Sequence, residues 1–179
     1  LTGKTAFLQT LKETAMRSGE AWRLKWIDVN FKNKTVRLNE PEKHSNTRMF
    51  KVSGKLLTML NNLPKKNEYV IGGGNLRWFR PTFVSLRKKL AHKLQNPRFK
   101  EIKFHTFRHW KATMEYAKTK DILYVKQLLG HKSIENTLRY TQLVNFETDE
   151  YTSRVAKTIK EACALFEAGF GHVCKMDEV

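Results

Sequence analysis

Arg17, Lys43, His105, Arg108, His131 and Tyr140 are side chains of the kinds that handle phosphate and protons. A guanidinium presents a planar fork that matches two phosphate oxygens, which the point charge of a lysine does not. A histidine exchanges protons near neutral pH. A tyrosine hydroxyl, with a reference pKa of about 10, becomes a nucleophile only beside a proton acceptor or in strongly positive surroundings. His105 and Arg108 stand three apart at an expected helix start and so project from one face. His131 follows Gly130 in a sharp turn, and Tyr140 comes nine residues later on the next short helix. Each of the six falls at the edge of an expected element rather than in mid-face. Taken singly, each has a plainer reading: Arg17 as a helix-end charge, His131 as a capping residue, Tyr140 as a packing ring. His105 and His109 have the i, i+4 spacing of a zinc pair, but no HExxH glutamate lies between them and no cysteine stands nearby, so a metal is not expected.

The elements that must carry these residues can be read from periodicity and punctuation. Phe7, Leu8, Leu11 and Ala15 recur at helical spacing over 5–16, and Gly19 interrupts that helix, which leaves Arg17 at or near its end. A short helix is expected over 20–25. Residues 26–31 alternate as a strand, and 35–38 and 48–52 read as two more, joined by a polar segment at 39–47. Ser53 caps a helix over 55–63 that Pro64 ends. Pro81 fits the first turn of a helix to about 94, and 106–118 is helical. Asp121 caps a helix that Gly130 terminates in the left-handed region, and Ser133 caps a short one through Tyr140. The tail reads as strand over 151–156, helix over 157–168 and strand over 170–176. The result is a mainly helical α+β domain with a small antiparallel sheet.

Charge narrows the partner. The 179 residues hold 34 Lys and Arg against 17 Asp and Glu, a formal net charge of +17, so a polyanion is the expected partner. Between 80 and 111 the basic residues crowd together with Glu101 as the one acid, whereas after Asn145 acids outnumber bases. No apolar run approaches the roughly 18–20 residues needed to cross a bilayer, so no membrane is expected. Cys163 and Cys174 make no CxxC pair and read as reduced thiols of a cytosolic protein.

Four stretches together resemble the tyrosine recombinase, or integrase, family. Thr14-Ala-Met-Arg-Ser-Gly-Glu-Ala-Trp-Arg-Leu-Lys-Trp-Ile-Asp28 is similar to the family's first box, with Arg-x-x-Glu followed by Leu-x-Trp-x-Asp. Lys43-His-Ser-Asn-Thr-Arg48 is similar to the β-turn that carries its lysine. His105-Thr-Phe-Arg-His109 resembles the His-x-x-Arg-His box, and Leu128-Leu-Gly-His131 with Thr137-Leu-Arg-Tyr-Thr141 resembles the last one. The lysine turn departs mildly, because it lacks the glycine that often follows the lysine and because Lys34 and Lys51 lie nearby.

The resemblance implies a catalytic-domain fold of helices with a three-stranded antiparallel sheet on one edge. It implies a DNA strand transferase with type IB topoisomerase-like chemistry, in which Tyr140 attacks a phosphodiester to give a 3′-phosphotyrosine and a free 5′-hydroxyl. Arg17 and Arg108 would clamp the non-bridging oxygens and His131 would donate a further hydrogen bond. By the same resemblance His105 would accept the Tyr140 proton and Lys43 would protonate the leaving oxygen. Glu20 would buttress Arg17, and His109 would orient the phosphate box. Arg87, Lys88, Lys89 and Lys103 are expected on the DNA backbone, positioning without reading sequence. No cofactor is implied, neither metal nor ATP, because the phosphotyrosine conserves the ester.

The expected organisation is a catalytic domain over 1–145 and a C-terminal strand-helix-strand extension over 146–179, of a kind that in the family often docks on a neighbouring protomer, with packing within its own monomer as the alternative. The chain starts almost directly at the helix before Arg17, so the N-terminal domain that completes the DNA clamp in relatives is expected to be absent from this chain. The tail resembles archaeal virus and plasmid integrases, which implies integration or excision of such an element. Double-stranded DNA is the implied partner, with a homo-tetramer on DNA, a monomer without it, and a location at the nucleoid in the host cytoplasm. The rivals are a type IB topoisomerase, a non-catalytic DNA-binding relative and an RNA-binding structural protein; the last explains the charge but not the four ordered boxes.

Overall fold

The computed structural model describes residues 2–43, 45–141, 156 and 158–167. Its contacts divide the chain into two compact units, Leu1–Asn145 and Phe146–Val179. No helix among the described residues is long and apolar enough to cross a membrane.

The first unit opens with α1 (Thr2–Thr14), which buries Ala6, Phe7 and Leu11 completely. Thr10 and Thr14 lie on the same buried side and satisfy their hydroxyls on the carbonyls of Ala6 and Thr10, at 2.9 and 2.7 Å. The helix stops at Ala15, in the left-handed region at φ 55°, and not at Gly19 as its glycine suggests. That conformation costs a residue with a Cβ about 1–2 kcal/mol. Full burial of the Ala15 methyl and a bond from its amide to the Leu11 carbonyl at 3.1 Å offset it. The sharp exit lets Arg17 adopt an extended conformation at the head of α2 (Ser18–Trp22), two residues earlier than the helix expected over 20–25.

The sheet is β1 (Val29–Asn30), β2 (Thr35–Leu38) and β3 (Arg48–Lys51), antiparallel in that order. Its register pairs Val36 with Val29 and Phe50, and Leu38 with Arg48. The strand expected over 26–31 is short because Trp26–Asp28 forms a 3-10 turn, with the Asp28 carboxylate accepting from the Lys25 amide at 3.4 Å. Period-two alternation puts Arg48 and Phe50 on the core side of β3, and Met49 and Lys51 outside.

Next come α3 (Gly54–Asn61), capped by the Ser53 hydroxyl, and α4 (Phe79–Lys93), with Pro81 in its first turn where no amide hydrogen is needed. Phe7, Trp22, Phe79, Phe83 and Phe104 interlock beneath α1, α2 and α4, edge-on, tilted or stacked at 4.5–6.3 Å between centroids. Then follow α5 (Phe104–Thr119), α6 (Ile122–Leu129) and α7 (Glu135–Leu138). Asp121 caps α6 by accepting from the amides of Leu123 and Tyr124 at 2.8 and 2.9 Å. A second core of Ala15, Ala112, Val125, Leu129 and Tyr140 joins the end of α1 to α5 and α6.

In the second unit the described element is α8 (Ile159–Glu167), inside the helix expected over 157–168. Apart from Ala156, which is in neither helix nor strand, the strands expected over 151–156 and 170–176 lie outside the described residues.

Candidate active site

The end of α6 is the anchor. Gly130 sits at φ 68°, and the amides of Gly130 and His131 close back on the carbonyls of Gln127 and Lys126 at 3.0 and 3.1 Å. This left-handed closure leaves the Leu129 carbonyl, at the negative end of the helix, free to accept from outside. Two arginines take it. Arg108 Nη2 donates to it at 2.6 Å, and Arg48 Nη1 donates to it from the sheet. A Cβ on Gly130 would run into the Arg48 guanidinium, so this position needs glycine twice over.

Arg108, Arg48 and Glu20 are all buried, and Arg17 lies partly open to solvent. Arg108 Nη1 donates to the carbonyl of left-handed Ala15 at 2.7 Å. Glu20 accepts from Arg48 Nη2 at 2.8 Å, from Arg17 Nη1 at 3.0 Å, and from the amides of Arg17 and Glu42 at 2.7 and 3.0 Å. Burial alone would raise the Glu20 carboxyl, but Arg48, those two amides and Arg17 hold it below the usual carboxylate range. Arg108 is brought down to about 10 by burial and by Arg17 and Arg48, and stays charged at neutral pH. Glu20 is thus the counter-ion that lets three guanidiniums share one small region.

Arg17 also reaches the lysine turn. Its Nη1 donates to the Glu42 carbonyl at 3.1 Å and to the Ser45 hydroxyl at 2.8 Å. Lys43 lies between them, exposed and at φ 56°. The turn is therefore tied to Arg17 while its lysine projects into solvent. Among the described residues these contacts use Nη1 of Arg17, leaving Nη2 and Nε for a ligand.

His131 brings Nε2 to 3.3 Å from Arg108 Nη2 and Nδ1 to 3.0 Å from the Thr137 hydroxyl. Because Arg108 can only donate, Nε2 accepts and Nδ1 carries the hydrogen. His131 is pushed down to about 4 by partial burial and by Arg108, Arg17, Arg139 and Arg48. His105 is also pushed down to about 4, by burial of its inner side and by His109 and the same arginine cluster, although its outer edge meets solvent.

Tyr140 lies just past the end of α7 rather than on it, and is buried at 2% exposure. Its hydroxyl lies 3.0 Å from Nδ1 of His109. Burial raises the phenol above its ordinary value, against the pull of Arg108 and Arg139. Arg17, Arg108, His105, His131, Tyr140, Glu20 and His109 therefore gather in one place. Arg48 is the member that the motif reading passed over; the signal was an arginine in register with Phe50 on the buried side of a strand. Thr137 and Arg139, next to Tyr140, were missed as well.

The expected backbone-binding residues divide. Lys88, Lys89 and Lys103 are exposed. Arg87 is half-buried over the Phe83 ring, and its Nη1 donates to the carbonyls of Lys100 and Ile102 at 2.5 and 2.6 Å, which fastens α4 to the 3-10 turn Pro97–Glu101. No group of three or more His, Cys, Asp or Glu among the described residues could hold a metal ion.

A helical bundle edged by a three-stranded antiparallel sheet is the catalytic-domain fold of tyrosine recombinases. The chain belongs to the phage integrase family, whose model matches residues 2–146. It is 28% identical over 144 residues to a probable integrase/recombinase protein of Methanocaldococcus jannaschii, covering 74% of this chain and 43% of that protein. Among solved structures it is similar to XerA recombinase (TM-score 0.64, 20% identity, 96% of this chain and 60% of that one). It is also similar to the Tn1549 transposon integrase in complex with transposon right end DNA (TM-score 0.64, 16% identity, 92% and 58%). The catalytic domain of bacteriophage HP1 integrase superposes with a TM-score of 0.55 at 22% identity, over 80% and 76%. The chain thus spans less than half of its archaeal relative.

Proposed function

We propose that this chain is the catalytic domain of a site-specific DNA recombinase that cleaves and reseals strands through a 3′-phosphotyrosine at Tyr140. The observation that carries the reading is that Tyr140 stands in the same cluster as Arg108 and His131 of its own chain, with Arg17 and Arg139 acting on the same groups. A DNA phosphate entering there meets Arg17 from the open side and Arg108 and His131 from behind. The Tyr140 hydroxyl gives its proton to a histidine of α5, its oxygen bonds to phosphorus, the P–O5′ bond breaks, and the 5′-oxygen takes a proton from Lys43, whose exposed turn is tied to Arg17. The new 5′-hydroxyl reverses the step, so neither ATP nor metal is required. To donate to the phosphate, His131 must carry hydrogen on Nε2; the Thr137 hydroxyl can turn to donate to Nδ1, or the phosphate can raise the ring so that both nitrogens are protonated.

Lys88, Lys89 and Lys103 would track the backbone, and cleavage would use the tyrosine of the same subunit. The archaeal relative and the transposon and phage integrases among the similar structures favour a mobile element, such as an archaeal virus or plasmid, as the substrate, with a tetramer on double-stranded DNA at the host nucleoid. The test is a nicked suicide duplex incubated with wild type and Tyr140→Phe. A denaturation-resistant adduct with wild type alone supports the reading. An adduct that persists in the variant, or none with wild type on any candidate site at low salt, overturns it.

A further inference from the structure

We propose that His109 receives the Tyr140 proton during cleavage and returns it on resealing, as a catalytic residue distinct from the histidine that opens the same helix. The inference rests on Tyr140 being the nucleophile. Three observations carry it. The hydrogen-bond partner of the Tyr140 hydroxyl among the described residues is Nδ1 of His109, at 3.0 Å, within the reach that a general base needs. Tyr140 is 2% exposed, so bulk water is poorly placed to take the proton. His105 and His109 meet edge to face, with ring centroids 4.4 Å apart, so a positive charge on one disfavours a charge on the other and the pair takes up at most one added proton.

The charged groups around His109 set its resting state. On α5 they are His105 and Arg108; beyond α7 they are Arg139 and Tyr140 itself. Partial burial, Arg139 and Arg108 lower its affinity for a proton, so at neutral pH the ring is neutral and its lone pair is available. Tyr140, raised by burial, rests as the phenol. Transfer is uphill at rest and becomes favourable only as the oxygen bonds to phosphorus and its own basicity collapses, which is the condition for concerted general-base catalysis. In the forward step the O–H bond of Tyr140 breaks, the proton moves to Nδ1 of His109, the O–P bond forms and the P–O5′ bond breaks. On resealing, the imidazolium gives that proton back to the departing tyrosine oxygen. α5 and α7 supply the geometry: i, i+4 spacing puts His105 and His109 on one face, and Tyr140, just past α7, meets the second of them.

The experiment is single-turnover cleavage of the suicide duplex from about pH 5 to 10, with wild type, His109→Asn, His109→Gln and His105→Asn. DNA binding and thermal melting are followed in parallel. Asn at 109 can keep a polar atom near the position of Nδ1 but cannot take a proton. Wild type should lose rate in acid as His109 titrates and level off above it. His109→Asn should bind DNA as wild type does, cleave on the order of 10²-fold more slowly at pH 7, and gain rate steadily toward pH 10 as solvent base replaces the histidine. His109→Gln should behave likewise, and His105→Asn should keep the acid limb. A His109→Asn enzyme with wild-type rate and pH profile, or loss of the acid limb in His105→Asn instead, would overturn the assignment of His109 while leaving Tyr140 as the nucleophile. Absence of any wild-type adduct would remove the underlying reading as well, and is told apart by the wild-type lane alone.

Discussion

The two sides of the candidate site are built in opposite ways. Around Arg108, Arg48 and Glu20 the side chains are buried and bonded to carbonyls of Ala15 and Leu129 or to one another, so the donors are fixed before any ligand arrives. Around Lys43 the chain is a left-handed turn tied at its flanks, Glu42 to Arg17, Arg23 and Glu20 and Ser45 to Arg17, while the lysine itself is exposed. Charge stabilisation gains from groups that need no reorganisation in the transition state. A proton donor to a leaving oxygen can instead reach in on a long, flexible side chain. The buried side should therefore fail through stability and rate together, and the exposed side through rate alone.

The largest expected effect is at Glu20. Replacing Glu20 with Gln removes the counter-ion of two guanidiniums and should cost about 3–5 kcal/mol, read as a lower urea midpoint. A loss below about 1 kcal/mol would mean that the remaining bonds hold these arginines, Arg48 on the Leu129 carbonyl and Arg17 on the Glu42 carbonyl and the Ser45 hydroxyl. Next comes Gly130→Ala, which meets both a left-handed backbone and the Arg48 guanidinium; a destabilisation of about 1–3 kcal/mol with a drop in cleavage is expected. Lys43→Ala should leave the urea midpoint within about 0.5 kcal/mol of wild type while cleavage falls about 10²-fold or more. Restoration of that rate by a better leaving group at the 5′ position would identify the lysine as the proton donor, and unchanged cleavage would exclude it.

A pH effect distinguishes the same two sides. His105 and His131 are pushed down to about 4 and His109 is lowered as well, while each ordinarily titrates at 6.5. Between about 6.5 and 4 the unfolded chain therefore binds more protons than the folded one, and stability must fall as pH falls. Thermal melts should drop between pH 7 and pH 4.5. In Lys43→Ala the drop should persist, because that lysine takes no part in it. A melting temperature flat across this window would show that the histidines stay solvated in the fold. The smallest effect is expected at the exposed lysines of the basic stretch 80–111, where Lys88→Ala with Lys89→Ala should weaken DNA binding evenly across sequences and lower the salt slope by about 2.

Much of this was legible in the sequence wherever one residue decides the geometry. Gly130, the Ser53 and Asp121 caps and the alternation of β3 follow from local rules, and the four boxes name most of the cluster. What was not legible depends on distant packing. The end of α1 lies at Ala15 because the second core buries that methyl, which no glycine announces. Arg87 reads as another cation of the basic stretch 80–111, yet it fastens the 3-10 turn to α4. Both His105 and His109 sit on one helical face, and only the approach of the chain beyond α7 decides which of them meets Tyr140. Arg48 looked like a strand residue until its guanidinium crossed from the sheet to α6.

The central claim, that Tyr140 becomes covalently joined to a DNA 3′-phosphate, is tested most directly by mass spectrometry of the trapped adduct. Protease and nuclease digestion should yield a peptide containing Tyr140 that carries a nucleotide through its 3′-phosphate, and DNA labelled at the other end of the nick should be released with a free 5′-hydroxyl. A nucleotide on another residue, or joined through its 5′-phosphate, would contradict the account.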